Sequence, residues 1–227
     1  MDESAGIQGG ATEVPRGVLT DFGGLLSTGV LAWFRAFSER VSGAPLLLER
    51  LFREGREAGE PLGLHECGRM TDAECDRRLA DGLRAEGVTV ESSGLVDAVA
   101  SGRRPDTTML QAIPQLRTRG VPVAIVSDTL GDNCYRGYDL HDLADVVVLS
   151  SETGSRKPGG RIDQVACERL GHPPSACLVN DDLEQNPRGA ARLGSRGLRH
   201  VRREETTRAG RGMFGTGALG GGARGAR

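Results

Sequence analysis

From residue 105 to about residue 204, short apolar runs alternate with amphipathic stretches, and few architectures can accommodate that rhythm. "VPVAIVS", "DVVVLSS", "ACLVNDD" and "GLRHV" read as strands, while "PDTTMLQAIPQLRTRG", "RIDQVACERLG" and "NPRGAARLG" read as helices, the first with Pro114 inside it. Apolar runs without polar alternation belong to strands covered on both faces, so the pattern predicts a doubly wound α/β core with a parallel sheet. A further run near the start, "GVLTDFGGLLSTG", reads as one more strand ending at an acid and a glycine pair.

Between these two parts the period changes. From about residue 31 the apolar residues of "LAWFRAFSERV" and "PLLLERLFREGREA" recur at three- and four-residue spacing. "TDAECDRRLADGLRAEG" opens with Thr71 and, three residues on, Glu74, the signature of a capping box, and closes on Gly87. Residues 31–104 are therefore expected as an all-helical insert, with residues 16–30 and 105–204 forming the core. Residues 1–15 lack an apolar period and are expected to be disordered. So are residues 205–227, where the Gly- and Arg-rich composition changes abruptly enough to suit a shifted reading frame as well.

Sheets of this kind carry their sites at the carboxyl ends of the strands. The residues expected there are Asp21, Ser127, the loop holding Lys157, and the pair Asp181 and Asp182. Asp or Ser after a strand is an ordinary helix cap when it occurs alone. Their joint occurrence with Lys157, the chain's only lysine among 28 arginines, is harder to read as capping. Carboxylates converging on one point repel unless a cation lies between them, and oxygen-only ligands favour a hard ion, Mg²⁺. An exposed carboxylate can attack phosphorus, while lysine supplies a compact point charge where a guanidinium fork would not fit.

Composition excludes other classes. The net charge of −2 gives no reason to expect a nucleic-acid partner. Five cysteines without a CxxC pair read as buried hydrophobes in a reducing compartment. With no leader-like start and no long apolar segment, a soluble cytoplasmic protein without a membrane partner is expected. His65, His141, His172 and His200 show no metal-ligand spacing, and Cys134 has no adjacent histidine to make it a nucleophile.

The order and spacing of four segments, "VLTDFGGLL", "VAIVSDT", "ETGSRKP" and "CLVNDDLEQNPRGAARLG", resemble the motifs of the haloacid dehalogenase superfamily of hydrolases. The resemblance runs from about residue 17 to 204. It implies a Rossmann-like core, a helical cap inserted between the first and second motifs, and Mg²⁺-dependent hydrolysis of a small phosphorylated metabolite. By position it makes Asp21 the nucleophile and a metal ligand, and the Gly23 carbonyl a second ligand. Asp182 becomes the direct acidic ligand, with Asp181 outside it or paired with Lys157. Ser127, Asp128 and Gly24 are implied to bind the substrate, Lys157 to stabilise charge, and Asn186 to order the loop beyond.

Three positions depart from the pattern. Gly23 stands where the phosphatase form has an Asp acting as general acid and base, a role worth about 10²- to 10⁴-fold in rate. Without it, substrates with good leaving groups, acyl or aryl phosphates, are expected to be preferred. Asp128 stands where Asn is frequent, and Gly159 where Asp is common. Carbon–halogen hydrolysis and a non-catalytic binding role remain as alternatives, and the oligomeric state stays open. Trp33 and Phe34 are expected in the core of the insert, with the pocket as a second possibility. Arg103 and Arg104 are expected at a solvated hinge, with contact to a substrate anion as a second possibility.

Overall fold

A computed structural model of the protein describes residues 7–8, 14–54 and 56–214. Six strands form one sheet: β1 (Ile7–Gln8), β2 (Gly17–Thr20), β3 (Val123–Ser127), β4 (Val146–Leu149), β5 (Cys177–Asp181) and β6 (Arg196–Arg199). Their order is β1-β6-β5-β2-β3-β4; β2 to β6 are parallel, and β1 alone runs antiparallel, pairing Ile7 with Leu198. The chain moves outward from β2 through β3 to β4, then crosses back to β5 and β6. The strand order thus reverses between β2 and β5, where open α/β sheets form their crevice.

Every residue of β2, β3 and β5 is buried. Alternate side chains feed two cores. Leu19, Ala124, Val126 and Val148 meet α9 (Arg161–Leu170) and α10 (Gln185–Ala191) on one face. On the other, Val18, Ile125 and Leu198 meet α6 (Thr107–Thr118), α7 (Leu140–Leu143) and α11 (Arg203–Phe214). Short α8 (Ser150–Thr153) follows β4. Pro114 lies within α6 as expected.

The helical stretch consists of α1 (Val30–Ser42), α2 (Leu47–Glu54), α3 (Arg56–Glu66), α4 (Asp72–Ala85) and α5 (Leu95–Ala100). These helices bury an apolar cluster of their own, including Trp33, Phe34, Phe37, Leu48, Leu83 and Val99. Leu130 and Cys134, from the loop after β3, join that cluster and tie it to the sheet domain. The capping box at Thr71 and Glu74 is present in full. No helix among the described residues is long and apolar enough to cross a membrane.

Both ends carry more order than expected. Ile7–Gln8 adds a strand because β6 would otherwise present an unpaired edge. Residues 205–214, expected as disordered tail, continue a helix from Arg203. Thr206, Ala209, Met213 and Phe214 recur at helical spacing and turn toward the sheet. The glycines between them hid that period. Residues 215–227 lie outside the described residues.

Candidate active site

Asp21 directly follows β2, Ser127 ends β3, and Asp181 ends β5 with Asp182 next. The parallel register therefore brings these groups to one sheet edge, and Lys157 reaches them from the loop after α8. Its side chain is only 3% exposed, and its ammonium lies 2.8 Å from Asp21 Oδ1, 2.7 Å from Asp181 Oδ2 and 3.0 Å from the Val126 carbonyl oxygen. Three donors meet three acceptors, which satisfies the ammonium completely. A guanidinium fork could not point at three such convergent oxygens.

Asp181 is held by three hydrogen bonds. Its Oδ1 accepts from the Leu183 amide and from Asn186 Nδ2, both at 2.9 Å, while Oδ2 takes Lys157. Asn186 thus orders this loop as expected. Asp21 accepts both of its bonds at Oδ1, from Lys157 and from the Phe22 amide at 2.7 Å. Asp128 Oδ1 accepts the Lys157 amide at 3.1 Å, so this residue fixes the lysine loop.

Asp182 is held differently. A Cβ built on Gly24, whose φ is +83°, would collide with the Asp182 carboxylate, and one on Gly29 would come within 2.8 Å of it. Gly24 therefore provides the seat of Asp182. At Gly159 a Cβ would lie 2.7 Å from the Arg156 carbonyl oxygen, so the turn into α9 leaves little room for a side chain.

The charges are unbalanced. Burial, with Asp181 and Asp182 adding to it, drives the Asp21 carboxyl well above its ordinary range despite Lys157. Asp182 is pushed to about 6 by burial and Asp181. Burial also raises Asp128, against the pull of Lys157. For Lys157, burial favours the neutral amine, but Asp181, Asp21 and Asp128 outweigh it and keep the ammonium charged. One ammonium among four carboxylates is a site lacking positive charge.

Asp21, Asp128, Lys157 and Asp182 line a pocket of about 150 Å³ between sheet and insert. Gly23, Ser127 and Asn186 line it as well, with Trp33 and Phe34 from α1, Leu62 and Glu66 from α3, and Tyr135 from the core. Trp33 and Phe34 are thus both core and wall. The guanidinium of Arg103 lies over Phe22, Trp33 and Tyr138, between 5.2 and 6.0 Å from their ring centres.

Among solved structures, the HAD family enzyme BT-2542 of Bacteroides thetaiotaomicron aligns over 88% of this chain and 100% of its own, with TM-score 0.67 at 22% identity. The fold is that of the haloacid dehalogenase enzymes. BT-2542 in complex with magnesium and inorganic phosphate aligns with TM-score 0.60 at 23% identity, covering 82% of this chain and 94% of that one. The L-2-haloacid dehalogenase of Xanthobacter autotrophicus, with chloropropionic acid covalently bound, shares the haloacid dehalogenase fold at TM-score 0.62 and 21% identity, over 86% and 81% of the two chains. In sequence, 100 residues (43% of this chain) are 36% identical to 9% of mouse "Acyl-CoA dehydrogenase family member 10". A stretch of 89 residues (37% of this chain) is 33% identical to 41% of "Phosphatase MT3486" of Mycobacterium tuberculosis (strain CDC 1551 / Oshkosh). The matches therefore span less than half of either curated relative. No protein-family model matches the chain.

Within this haloacid dehalogenase fold, the donor set fits Mg²⁺. Asp21, Asp181 and Asp182 each offer an oxygen, all within 4.8 Å of one another, and no sulfur or nitrogen donor accompanies them. With three of its lone-pair sites engaged, Asp181 has less to offer an ion than Asp21, which accepts at Oδ1 only. Glu66 and Arg156 escaped the sequence reading, because helical period tells which face of α3 is buried but not what its last residue overhangs.

Proposed function

We propose that this protein is an Mg²⁺-dependent phosphatase of small phosphorylated metabolites, working through an aspartyl-phosphate on Asp21. The observation that carries this reading is the Lys157 ammonium held between Asp21 and Asp181 at 2.8 and 2.7 Å, with Asp182 beside them. Such a site suits a dianion arriving with a cation and suits an uncharged carbon–halogen bond poorly. The phosphate- and magnesium-bound state of BT-2542, and the phosphatase named among the curated relatives, support the same reading.

On this reading Asp21 attacks phosphorus in line with the departing oxygen, and its own ester is later cleaved by water. The buried Ser127 hydroxyl hydrogen-bonds a phosphoryl oxygen. Lys157, already charged, needs no reorganisation to stabilise the growing negative charge. Asp181 and Asn186 keep the ammonium in place. Mg²⁺, held by Asp21, Asp182 and the Gly23 carbonyl, would neutralise the carboxylates and draw charge from the phosphoryl oxygens. Trp33, Phe34 and Leu62 form an apolar wall that keeps the substrate small.

The test is hydrolysis of an aryl phosphate with and without Mg²⁺, in wild type and Asp21→Asn. Metal-dependent turnover that vanishes in the variant is the expected result. Turnover of 2-haloacids, with none of aryl or acetyl phosphate, would replace this reading by dehalogenation.

A further inference from the structure

Gly23 leaves the pocket without a proton donor on the loop after β2, yet the insert brings another carboxyl to the same space. Glu66, the last residue of α3, lines the pocket together with Asp21, Gly23, Ser127 and Asp128 and is only 8% exposed. Its position is fixed from the core: Ser150 Oγ donates to the Glu66 carbonyl oxygen at 2.5 Å, and Arg156 Nη1 lies 2.9 Å from Oε2. The Arg156 contact is an ion pair without an aligned hydrogen bond, so Oε2 is a buried polar atom with its bonding capacity unspent.

We infer that Glu66 is the acid–base group of this site, donating a proton to the leaving oxygen and later taking one from water. The inference rests on the phosphatase reading above. In the first half, the Asp21 oxygen forms a bond to phosphorus, the bond from phosphorus to the ester oxygen breaks, and the Glu66 proton passes to that oxygen to release an alcohol. In the second half, water attacks phosphorus, its proton returns to the Glu66 carboxylate, and Asp21 is freed as inorganic phosphate leaves. Protons and electrons balance, and Arg156 stabilises the carboxylate between the two halves.

The surroundings suit both roles. Burial pushes the Glu66 carboxyl up to about 8, with Asp128 adding to the rise and Arg156 and Lys157 opposing it. Cys67 and Cys75 on the insert also feel its charge. A large share of Glu66 is therefore protonated at neutral pH, as a general acid must be. As pH rises through that range the proton is lost, and the rate on poor leaving groups falls. The consequence for specificity is direct. Simple alkyl phosphates become substrates despite Gly23, and the preference for aryl and acyl phosphates disappears.

The experiment compares a simple alkyl phosphate with p-nitrophenyl phosphate in Mg²⁺ buffer across pH 5 to 10, for wild type and Glu66→Gln. Glutamine keeps the size and the backbone bond to Ser150. In wild type, kcat/KM for the alkyl ester should decline above about pH 8, while the aryl ester, which needs little protonation, should not follow. Glu66→Gln should lose about 10²- to 10⁴-fold on the alkyl ester, lose far less on the aryl ester, and erase the alkaline decline. Equal losses on both esters, an unchanged pH profile in the variant, or matching wild-type profiles would overturn the inference while leaving the phosphatase reading intact. A wild type inactive on both esters and on acetyl phosphate would overturn the reading beneath it.

Discussion

Neighbouring glycines serve opposite purposes in this site. Gly24, at φ +83°, occupies backbone space that an L side chain enters only at about 1–2 kcal/mol, and its bare Cα face receives the Asp182 carboxylate. Gly23 has room to spare, since an added Cβ would meet only the Trp33 ring, at 3.8 Å. Gly24→Ala should therefore displace Asp182 and raise the Mg²⁺ concentration for half-maximal activity about 10- to 100-fold, the scale on which groups that orient metal ligands act. Gly23→Ala should leave that concentration unchanged. A magnesium titration of both variants checks the pair, and equal responses would contradict the seat assigned to Gly24. The sequence foretold Asp21, Ser127, Lys157 and the paired aspartates, because a strand's end can be read from where an apolar run stops. It did not reveal the contact of Gly24 with Asp182, since no local pattern announces that a carboxylate distant in the chain will come to rest there.

Elements in the insert are joined by polar contacts that periodicity conceals. Asp76, on the buried face of α4, accepts from the amides of Gly94 at 2.5 Å and Val96 at 2.8 Å, and so pins the start of α5 from outside. The α5 N-cap residue, Gly94, has no side chain for the task. Asp76→Ala should strand both donors at a cost of about 1–3 kcal/mol each, seen as a lower urea midpoint. Asp76→Asn keeps one acceptor oxygen and should lose about half as much. The capping box of α4 was legible because its two residues lie three apart, whereas Asp76 and Gly94 pair across eighteen. The same distinction explains α11: its apolar residues kept helical spacing, but only the sheet face that they cover turns a glycine-rich stretch into a helix.

At the scale of the molecule, the insert is held at two places on either side of the pocket. Its entry and exit segments run side by side, with Thr28 N to Arg104 O at 2.8 Å and Asp106 N to Leu26 O at 2.9 Å. Thr28 Oγ1 also accepts from Trp33 Nε1 and the Arg104 amide, both at 3.0 Å. At the far side, Asp72 Oδ2 accepts the Asp132 amide at 3.1 Å, and Arg69 donates to the Gly154 carbonyl at 3.1 Å. Next to Arg69, Gly68, at φ +67°, lies so close to the core that a Cβ would be 2.5 Å from the Ser151 carbonyl oxygen. Gly68→Ala should lift this edge of the insert and carry Glu66, two residues earlier, away from the pocket. Turnover of an alkyl phosphate should then fall further than that of an aryl phosphate, and parallel losses would show that Glu66 had not moved. None of this docking was visible in the sequence, where helices reveal their apolar stripes but not the partner that each stripe will meet.

The single lysine has a practical consequence as well. Because the only side-chain amine is enclosed by three oxygens and 3% exposed, an acylating reagent finds no lysine to label while the site is closed. Any Nζ adduct marks an excursion in which the ammonium has left Asp21 and Asp181 and lost its proton. The labelling rate of this one atom would thus time the opening of the catalytic centre itself, free of the background that surface lysines impose on other proteins.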